Sequence, residues 1–456
     1  MKISKVLIAN RGEIALRIIR ACRDLGIESV QVYSKADEGS LPVKMADHAV
    51  CIGGAAAKES YLNADALLSA AAMTGADAIH PGYGFLSENP EFAEACSKSG
   101  LVYVGPAAEI IRLMGNKSAA RATAAAAGVS VIPGSSEPVS DHDLALTIAA
   151  EVGYPVLVKA SAGGGGRGMR VVANEGQLRE SLQRASAEAQ TAFGSGEVYI
   201  EKYLPSVRHV EVQVFGDGKR AIHFGERDCT IQRRHQKLLE EAPSPAILPH
   251  VRESMLAAAC ALCERVSYKN AGTVEFVLDA AEQKYYFIEM NTRIQVEHPV
   301  TELLTGYDLV KLQLQIAAGI PLTIQQSDIQ FKGHVIECRI NAEDPEKGFM
   351  PAPGSLKEFW PPQGPGVRVD THVYSGYGLP PYYDSLVAKI LTHAQTRQEA
   401  IAQMRRALHE MRIDGLKTTK EFHQRLMNEP DFLEGNFDTQ FVKTKMWAGH
   451  PNQHLL

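Results

Sequence analysis

The chain has 456 residues, with 47 Lys and Arg against 53 Asp and Glu, a formal net charge of −6. Its composition, 45% hydrophobic and 22% charged, excludes wholesale disorder, and no apolar run nears the roughly 18 residues of a membrane helix. Mild acidity argues against nucleic-acid binding and Arg11 comes too early for a secretory signal, so a cytoplasmic enzyme of about three domains is expected, with no membrane partner.

Val6-Leu7-Ile8-Ala9 reads as a buried strand, Ile14 to Leu25 as a helix closed by Gly26, and Ser29 to Tyr33 as a second strand. A helix over Ala64 to Met73 and strands at Ala76 to His80 and Leu101 to Val104 continue a βαβ rhythm, which implies a parallel, doubly wound sheet. The first turn, Asn10-Arg11-Gly12-Glu13, carries one glycine where a dinucleotide fingerprint has three, so a nicotinamide domain is not expected. Beyond residue 116 come an alanine-rich helix, Ala119 to Ala127, and a Pro/Ser stretch from Pro133 to Pro138. A third region begins near Gln330 and ends in a helix over Gln398 to Met411. The seven cysteines are irregularly spaced and make no disulfide framework; Cys260 and Cys263 share a helical pattern without further zinc ligands, which predicts two buried small residues.

Gly163, Gly164, Gly165 and Gly166 lie between the apolar run ending at Lys159 and Met169-Arg170-Val171-Val172, so the loop joins two strands rather than feeding a helix as a Walker A loop does. A hairpin needs fewer glycines. Four in a row let backbone N–H groups approach an anion, and Lys159 adds a charge for phosphate.

Two later strands, Gly272 to Asp279 and Tyr285 to Asn291, form an expected hairpin with Glu275 and Glu289 inside apolar runs. A carboxylate there is costly unless paired or metal-bound, and Glu275, Glu289 and Asn291 offer the hard oxygens that suit Mg²⁺. If the chain stays extended, Glu289, Asn291, Arg293, Gln295 and Glu297 face one way. A solvated edge strand would give the same alternation, but not two carboxylates central to apolar runs. Glu226 to Lys237 supplies a cationic counterpart, which is either a solvated surface or a grip for phosphate or a small oxyanion.

These segments, with Ile8-Ala9-Asn10-Arg11-Gly12-Glu13-Ile14-Ala15, His80 to Asn89, Arg233 to Lys237, Glu289 to His298 and Glu337 to Glu343, resemble biotin carboxylase, the ATP-grasp component of biotin-dependent carboxylases. The resemblance spans nearly the whole chain, and the last two segments are specific to that family rather than to ATP-grasp proteins at large. It implies an α/β (α+β) ATP-grasp fold with an N-terminal doubly wound, Rossmann-like domain over 1–115. An ATP-grasp domain over 116–330, with a lid at about 131–203, and a C-terminal biotin carboxylase domain over 331–446 follow.

By that resemblance ATP lies against Lys117, Lys159, the Gly163 to Gly166 flap, Glu201, Lys202, Tyr203, Leu204, His209, Gln232, His235 and Leu278, beside Glu275 and Glu289. Two Mg²⁺ ions (Mn²⁺ in their place) sit on Glu275, Glu289 and Asn291. Bicarbonate is held by Lys237, Arg293, Gln295 and Val296, with Glu297 as general base; Tyr83 and Arg339 attend biotin. Glu297, Arg339, Lys237 and Arg293 are the expected catalytic residues. The chain ends at Leu456 without a biotin-acceptor Ala-Met-Lys-Met, so the expected partners are a biotin carboxyl carrier protein, a second copy in a homodimer, and carboxyltransferase subunits. Acetyl-CoA, for fatty acid synthesis, is the expected final acceptor; propionyl-CoA, pyruvate and urea systems are alternatives. Another ATP-grasp ligase would share Lys159 and the metal carboxylates but has no reason to carry Arg339, and a non-catalytic nucleotide-binding protein would lack one of Lys237, Arg293 or Glu297.

Overall fold

A computed structural model describes residues 3–135, 137–139, 141–160, 169–193 and 196–447. The N-terminal strands β1 (Lys5–Ile8), β2 (Glu28–Ser34), β3 (His48–Gly53), β4 (Ala78–His80) and β5 (Val102–Tyr103) form a parallel sheet in the order β3-β2-β1-β4-β5. After Lys5, β1 is apolar because both of its faces are covered. Val6 and Ile8 join the cluster with Ile14 and Ile18 of the helix Gly12–Asp24, whereas Leu7 and Ala9 join the cluster with Leu67 and Phe92 on the other side. This is the doubly wound arrangement that the alternating elements imply.

β6 (Val156–Ala160), β7 (Arg170–Val172) and β8 (Val198–Lys202) make a small antiparallel sheet, with β6 central. The helices His142–Val152 and Glu175–Phe193 cover it through Ala145, Ala149, Leu178 and Leu182. Gly163 to Gly166, the expected flap, lies outside the described residues.

The large sheet has eight strands. β9 (Arg208–Asp217), β10 (Ala221–Arg233), β11 (Gln236–Ala242), β12 (Lys269–Asp279), β13 (Lys284–Asn291) and β14 (His334–Asn341) run in the order β13-β12-β9-β10-β11-β14. The strands Leu386–Ala394 and Val367–Thr371 extend it, and every pairing is antiparallel. The β11–β14 pairing carries the sheet from the central region into the C-terminal one.

Alternation in these strands decides where the polar groups go. Val210, Val212 and Val214 of β9 and Val274, Phe276 and Leu278 of β12 pack under the helix Pro249–Arg265. His209, Glu211, Gln213, Thr273 and Glu275 therefore turn to the other face. Cys263 is buried on that helix but Cys260 is only partly so, because it falls nearer the helix edge. Among the described residues no helix is long and apolar enough to cross a membrane.

Candidate active site

Register lines up a row of charges across four strands. Glu289 of β13 pairs with Glu275 of β12, Glu275 with Glu211 of β9, and Glu211 with Arg227 of β10. Three carboxylates in one row are tolerable only with cations against them. Arg227, fully buried, gives Nε to Glu211 at 2.6 Å and its other nitrogens to Gln213, Thr301 and Gln295, each at 2.8 Å. Lys237 Nζ lies 2.5 Å from Glu211, 3.0 Å from Glu275 and 2.7 Å from Glu297.

The tight β10–β11 hairpin turns through Arg234 and His235, both left-handed at φ 47° and 64°, and so returns Lys237 to the row. His235 is exposed at this turn, while Gln232 is buried. The cationic run thus separates by depth. Arg227 and Lys237 neutralise buried carboxylates, and Arg233 stacks 4.8 Å over Phe349 and donates to the Gly348 carbonyl.

Residues 289–297 do not stay extended. β13 ends at Asn291, bends follow, and Glu297 stands at the start of the helix His298–Thr305. The odd-numbered side chains still converge on the site, for a different reason: each is drawn to a charge. Asn291 Nδ2 and Gln295 Nε2 both donate to Glu275 Oε1 at 2.8 Å. Arg293 reaches Glu88 at 2.8 Å and Asn291 at 2.9 Å. Glu297 accepts from Lys237, and from Arg339 at 2.9 Å. The Val296 carbonyl accepts from the fully buried Lys389 at 2.7 Å.

Electrostatics follow from this packing. Burial works to neutralise Glu297, but Lys237, Arg339 and Arg227 outweigh it and hold its pKa well below the usual carboxylate range. Burial likewise opposes the charge on Lys237, and Glu211, Glu275 and Glu297 overcome it. Glu289 is displaced upward, by burial first and then by Glu275, with Lys117 partly offsetting. Two in-register carboxylates, one of them short of positive charge, suit a hard divalent cation, and the Asn291 amide lies against them with its nitrogen on Glu275 and its oxygen held by Arg293. His209 Nε2 lies 2.6 Å from Glu275; against its burial, that carboxylate raises the His209 pKa. His209, Glu211 and Glu275 also bring their ligand atoms within 4.8 Å of one another.

Of the remaining expected nucleotide residues, Lys159, Glu201, Lys202 and Leu204 lie on or next to the small three-stranded sheet. Lys159 Nζ sits 2.5 Å from Glu201, which Arg121 also holds at 3.0 Å. The Lys202 side chain turns elsewhere, to the Gly153 carbonyl at 2.9 Å, and Leu204 is half-buried just beyond β8. Lys117 is exposed at the start of the helix Lys117–Ala126. Leu278 packs in the apolar layer with Val274 and Phe276, away from Glu275. Tyr83 donates to Glu13, and its loop is fixed by Asn10, whose Nδ2 donates to the carbonyls of Pro81 at 2.6 Å and Tyr83 at 2.7 Å. Arg339 gives Nε to Glu240 at 2.7 Å and so bridges Glu240 and Glu297.

Sequence reasoning passed over Glu211, although Val210-Glu211-Val212 carries the same signal as Glu275, a carboxylate inside an apolar alternation. Glu240, Glu13 and Lys389 gave no comparable signal, because their partners are remote in sequence.

A family model described as the carbamoyl-phosphate synthase L chain ATP binding domain matches residues 116–325, and this fold and site are those of an ATP-dependent ligase of the ATP-grasp type. The N-terminal and C-terminal domain models of biotin carboxylase match residues 2–111 and 337–444. The chain belongs to the biotin carboxylase family. It is 55% identical to biotin carboxylase 1 of Bacillus subtilis over 97% of this chain and 98% of that one. It is 51% identical to a pyruvate carboxylase chain of Methanothermobacter thermautotrophicus, over 96% of this chain and 89% of that one. The biotin carboxylase domain of Hydrogenobacter thermophilus 2-oxoglutarate carboxylase superposes with a TM-score of 0.91 at 47% identity, covering 98% of each chain; it was solved as a dimer with MgADP, ADP and bicarbonate.

Proposed function

We propose that this chain carboxylates biotin on a separate carrier protein, using ATP and bicarbonate through carboxyphosphate. The observation that carries the reading is Glu297, a buried carboxylate held between Lys237 and Arg339, facing the Glu275–Glu289 row. The MgADP and bicarbonate bound by the Hydrogenobacter relative support it. Glu275, Glu289 and Asn291 would hold Mg²⁺, which when bound supplies neutralising charge for phosphoryl transfer.

Without ligands Glu297 is too well neutralised to be a strong base. Bicarbonate entering beside Lys237, Arg293, Gln295 and Val296 draws Lys237 and Arg339 onto its own charge. Glu297 then loses that stabilisation, its pKa climbs, and it takes the bicarbonate proton as the oxygen attacks the γ-phosphate. Lys159 and Lys117 bind the nucleotide phosphates, and Glu201 with the Lys202–Leu204 backbone takes the base. Carboxyphosphate breaks down to CO2 and phosphate, the phosphate removes the N1′ proton of biotin, Arg339 stabilises the resulting enolate, and its nitrogen adds to the CO2 to give carboxybiotin. Tyr83 positions the biotin ring.

The partners follow as a carrier protein, a carboxyltransferase and a second copy of the chain. We assign acetyl-CoA as the final acceptor, with pyruvate and 2-oxoglutarate systems as the rivals that relatives raise. Bicarbonate-dependent ADP release should rise on adding free biotin, and Glu297→Gln should bind ATP normally yet lose about 10²-fold or more in turnover. No biotin stimulation in the wild type refutes the reading. Co-purification with a pyruvate- or 2-oxoglutarate-specific transferase would overturn the choice of acceptor alone.

A further inference from the structure

Behind Arg339 the large sheet buries two carboxylates with too few donors. Glu240 of β11 and Glu337 of β14 are direct partners in the antiparallel register, so their Cβ atoms lie about 4.5–5.5 Å apart on one face. Both are 0% exposed. Glu240 Oε1 accepts from Arg339, but among the described residues Glu240 Oε2 and both oxygens of Glu337 have no hydrogen-bond donor.

The charged groups facing Glu337 are Lys389 from the adjoining strand, Glu240 from β11, Arg339 from its own strand and Glu297 from the turn before the helix His298–Thr305. Neither cation is free to serve it. Lys389 donates to the Val296 carbonyl at 2.7 Å and to Glu13 at 3.0 Å, while Arg339 is shared between Glu240 and Glu297. Two ionised carboxylates side by side in a dry sheet are mutually repulsive. One proton between them turns the unmatched oxygens into a donor and an acceptor.

We propose that Glu240 and Glu337 share one proton at neutral pH, and that this acid–carboxylate pair is the positioning element for Arg339. The proton resides on Glu337, whose O–H donates to Glu240 Oε2. Glu240 Oε1 then stays free to fix the guanidinium, and Arg339 faces one charged carboxylate behind it and Glu297 in front. The directions of titration agree. Burial and then Glu240 push the Glu337 pKa well up against the pull of Lys389, and Glu240 is raised to about 7 by burial against Arg339. This rests on the proposed reaction only for the task Arg339 performs on biotin.

Infrared difference spectra of wild type minus Glu337→Gln at neutral pH test the pair directly. The expected result is a protonated-carboxylic-acid carbonyl band, shifted in D2O, that the variant lacks; its absence from the wild type overturns the proposal. In kinetics, Glu337→Gln still donates to Glu240 and should keep biotin-dependent kcat and the biotin KM within about twofold. Glu337→Leu, with no donor, should lower kcat and raise the biotin KM on the order of tenfold or more. Because the raised pKa leaves Glu337 protonated below it, the wild-type rate should fall at the alkaline end through loss of that proton, and Glu337→Gln should lack this limb. A glutamine variant as defective as the leucine one, or an alkaline limb unmoved, refutes the assignment. If the wild type shows no biotin stimulation, the proposed reaction fails while the infrared band still decides the pair.

Discussion

Replacing Lys237 with Met tests the central charge balance most directly. Its ammonium contacts three carboxylates, at 2.5, 3.0 and 2.7 Å. A unit pair at 2.7 Å is worth ~6 kcal/mol at an effective dielectric constant of ~20, before desolvation. Three such terms cannot be summed, because desolvating each ion costs several kcal/mol. The measurable quantity is what removal leaves behind. Glu211 keeps Arg227, Glu275 keeps His209 and two amides, and Glu297 keeps Arg339. The loss should therefore fall at the lower end of the range for breaking a buried pair, about 3 kcal/mol.

Its pH dependence is the sharper signature. In the intact protein Glu275 and Glu297 titrate below their ordinary values, so their stabilisation is full above the usual carboxylate range and fades as the pH falls through the depressed values. Without Lys237 both groups take up protons nearer neutrality. The deficit should be largest near about pH 8 and shrink towards about pH 5. Urea denaturation of both proteins across that range measures it, and adding Glu297→Gln to the variant should recover part of the loss. A deficit independent of pH, or one under about 1 kcal/mol, would refute the account of Lys237 as the shared counter-ion.

Glu289→Gln removes charge from the expected cation pair and should raise the KM for Mg-ATP on the order of tenfold while leaving the fold intact, as circular dichroism would verify; an unchanged KM excludes Glu289 from that role. Gly82→Ala places a Cβ 2.9 Å from Asn10 Nδ2 at φ +62°. It should therefore destabilise by about 1–3 kcal/mol and raise the KM for biotin more than that for ATP. Glu241 is held by Arg397 at 2.6 Å and His334 at 2.8 Å. Burial opposes its charge, yet these partners bring it down to about 2. That stabilisation is complete above the ordinary carboxylate range and lost as pH falls towards 2, so the thermal deficit of Glu241→Gln should be full at neutral pH and vanish in acid.

The doubly wound base was readable because Val6 to Ala9 is apolar at every position, which a strand needs when both faces are covered. The Glu275–Glu289 hairpin was readable for the opposite reason: its carboxylates interrupt apolar alternation. Glu211 carries the same mark, but Gln213 two residues on makes β9 look half-solvated, and only register with Glu275 and Arg227 reveals a site. The extended reading of 289–297 failed because period-two spacing survives in a chain that bends, so long as each polar side chain finds a charge. The cationic run could not disclose depth. Arg227 is buried and His235 exposed within one stretch, and sequence spacing carries no information on distance from solvent.

Glu297, the expected base, is placed by regions other than the one that supplies it. Since β13 stops at Asn291, no sheet ladder holds residues 292–297. Their position comes instead from side-chain anchors. Arg293 is tied to Glu88 of the N-terminal region, the Val296 carbonyl to Lys389 of the C-terminal region, and Glu297 itself to Arg339. Lys389 also grips Glu13, which holds Tyr83, so a line of contacts joins the expected biotin side to Val296, the residue beside Glu297. Such anchors set geometry through charge-assisted bonds that hold only while all three regions are docked. The turn that carries Glu297 is consequently a product of the assembled chain, and a lesion far from β12 and β13 can displace Glu297 without touching either strand.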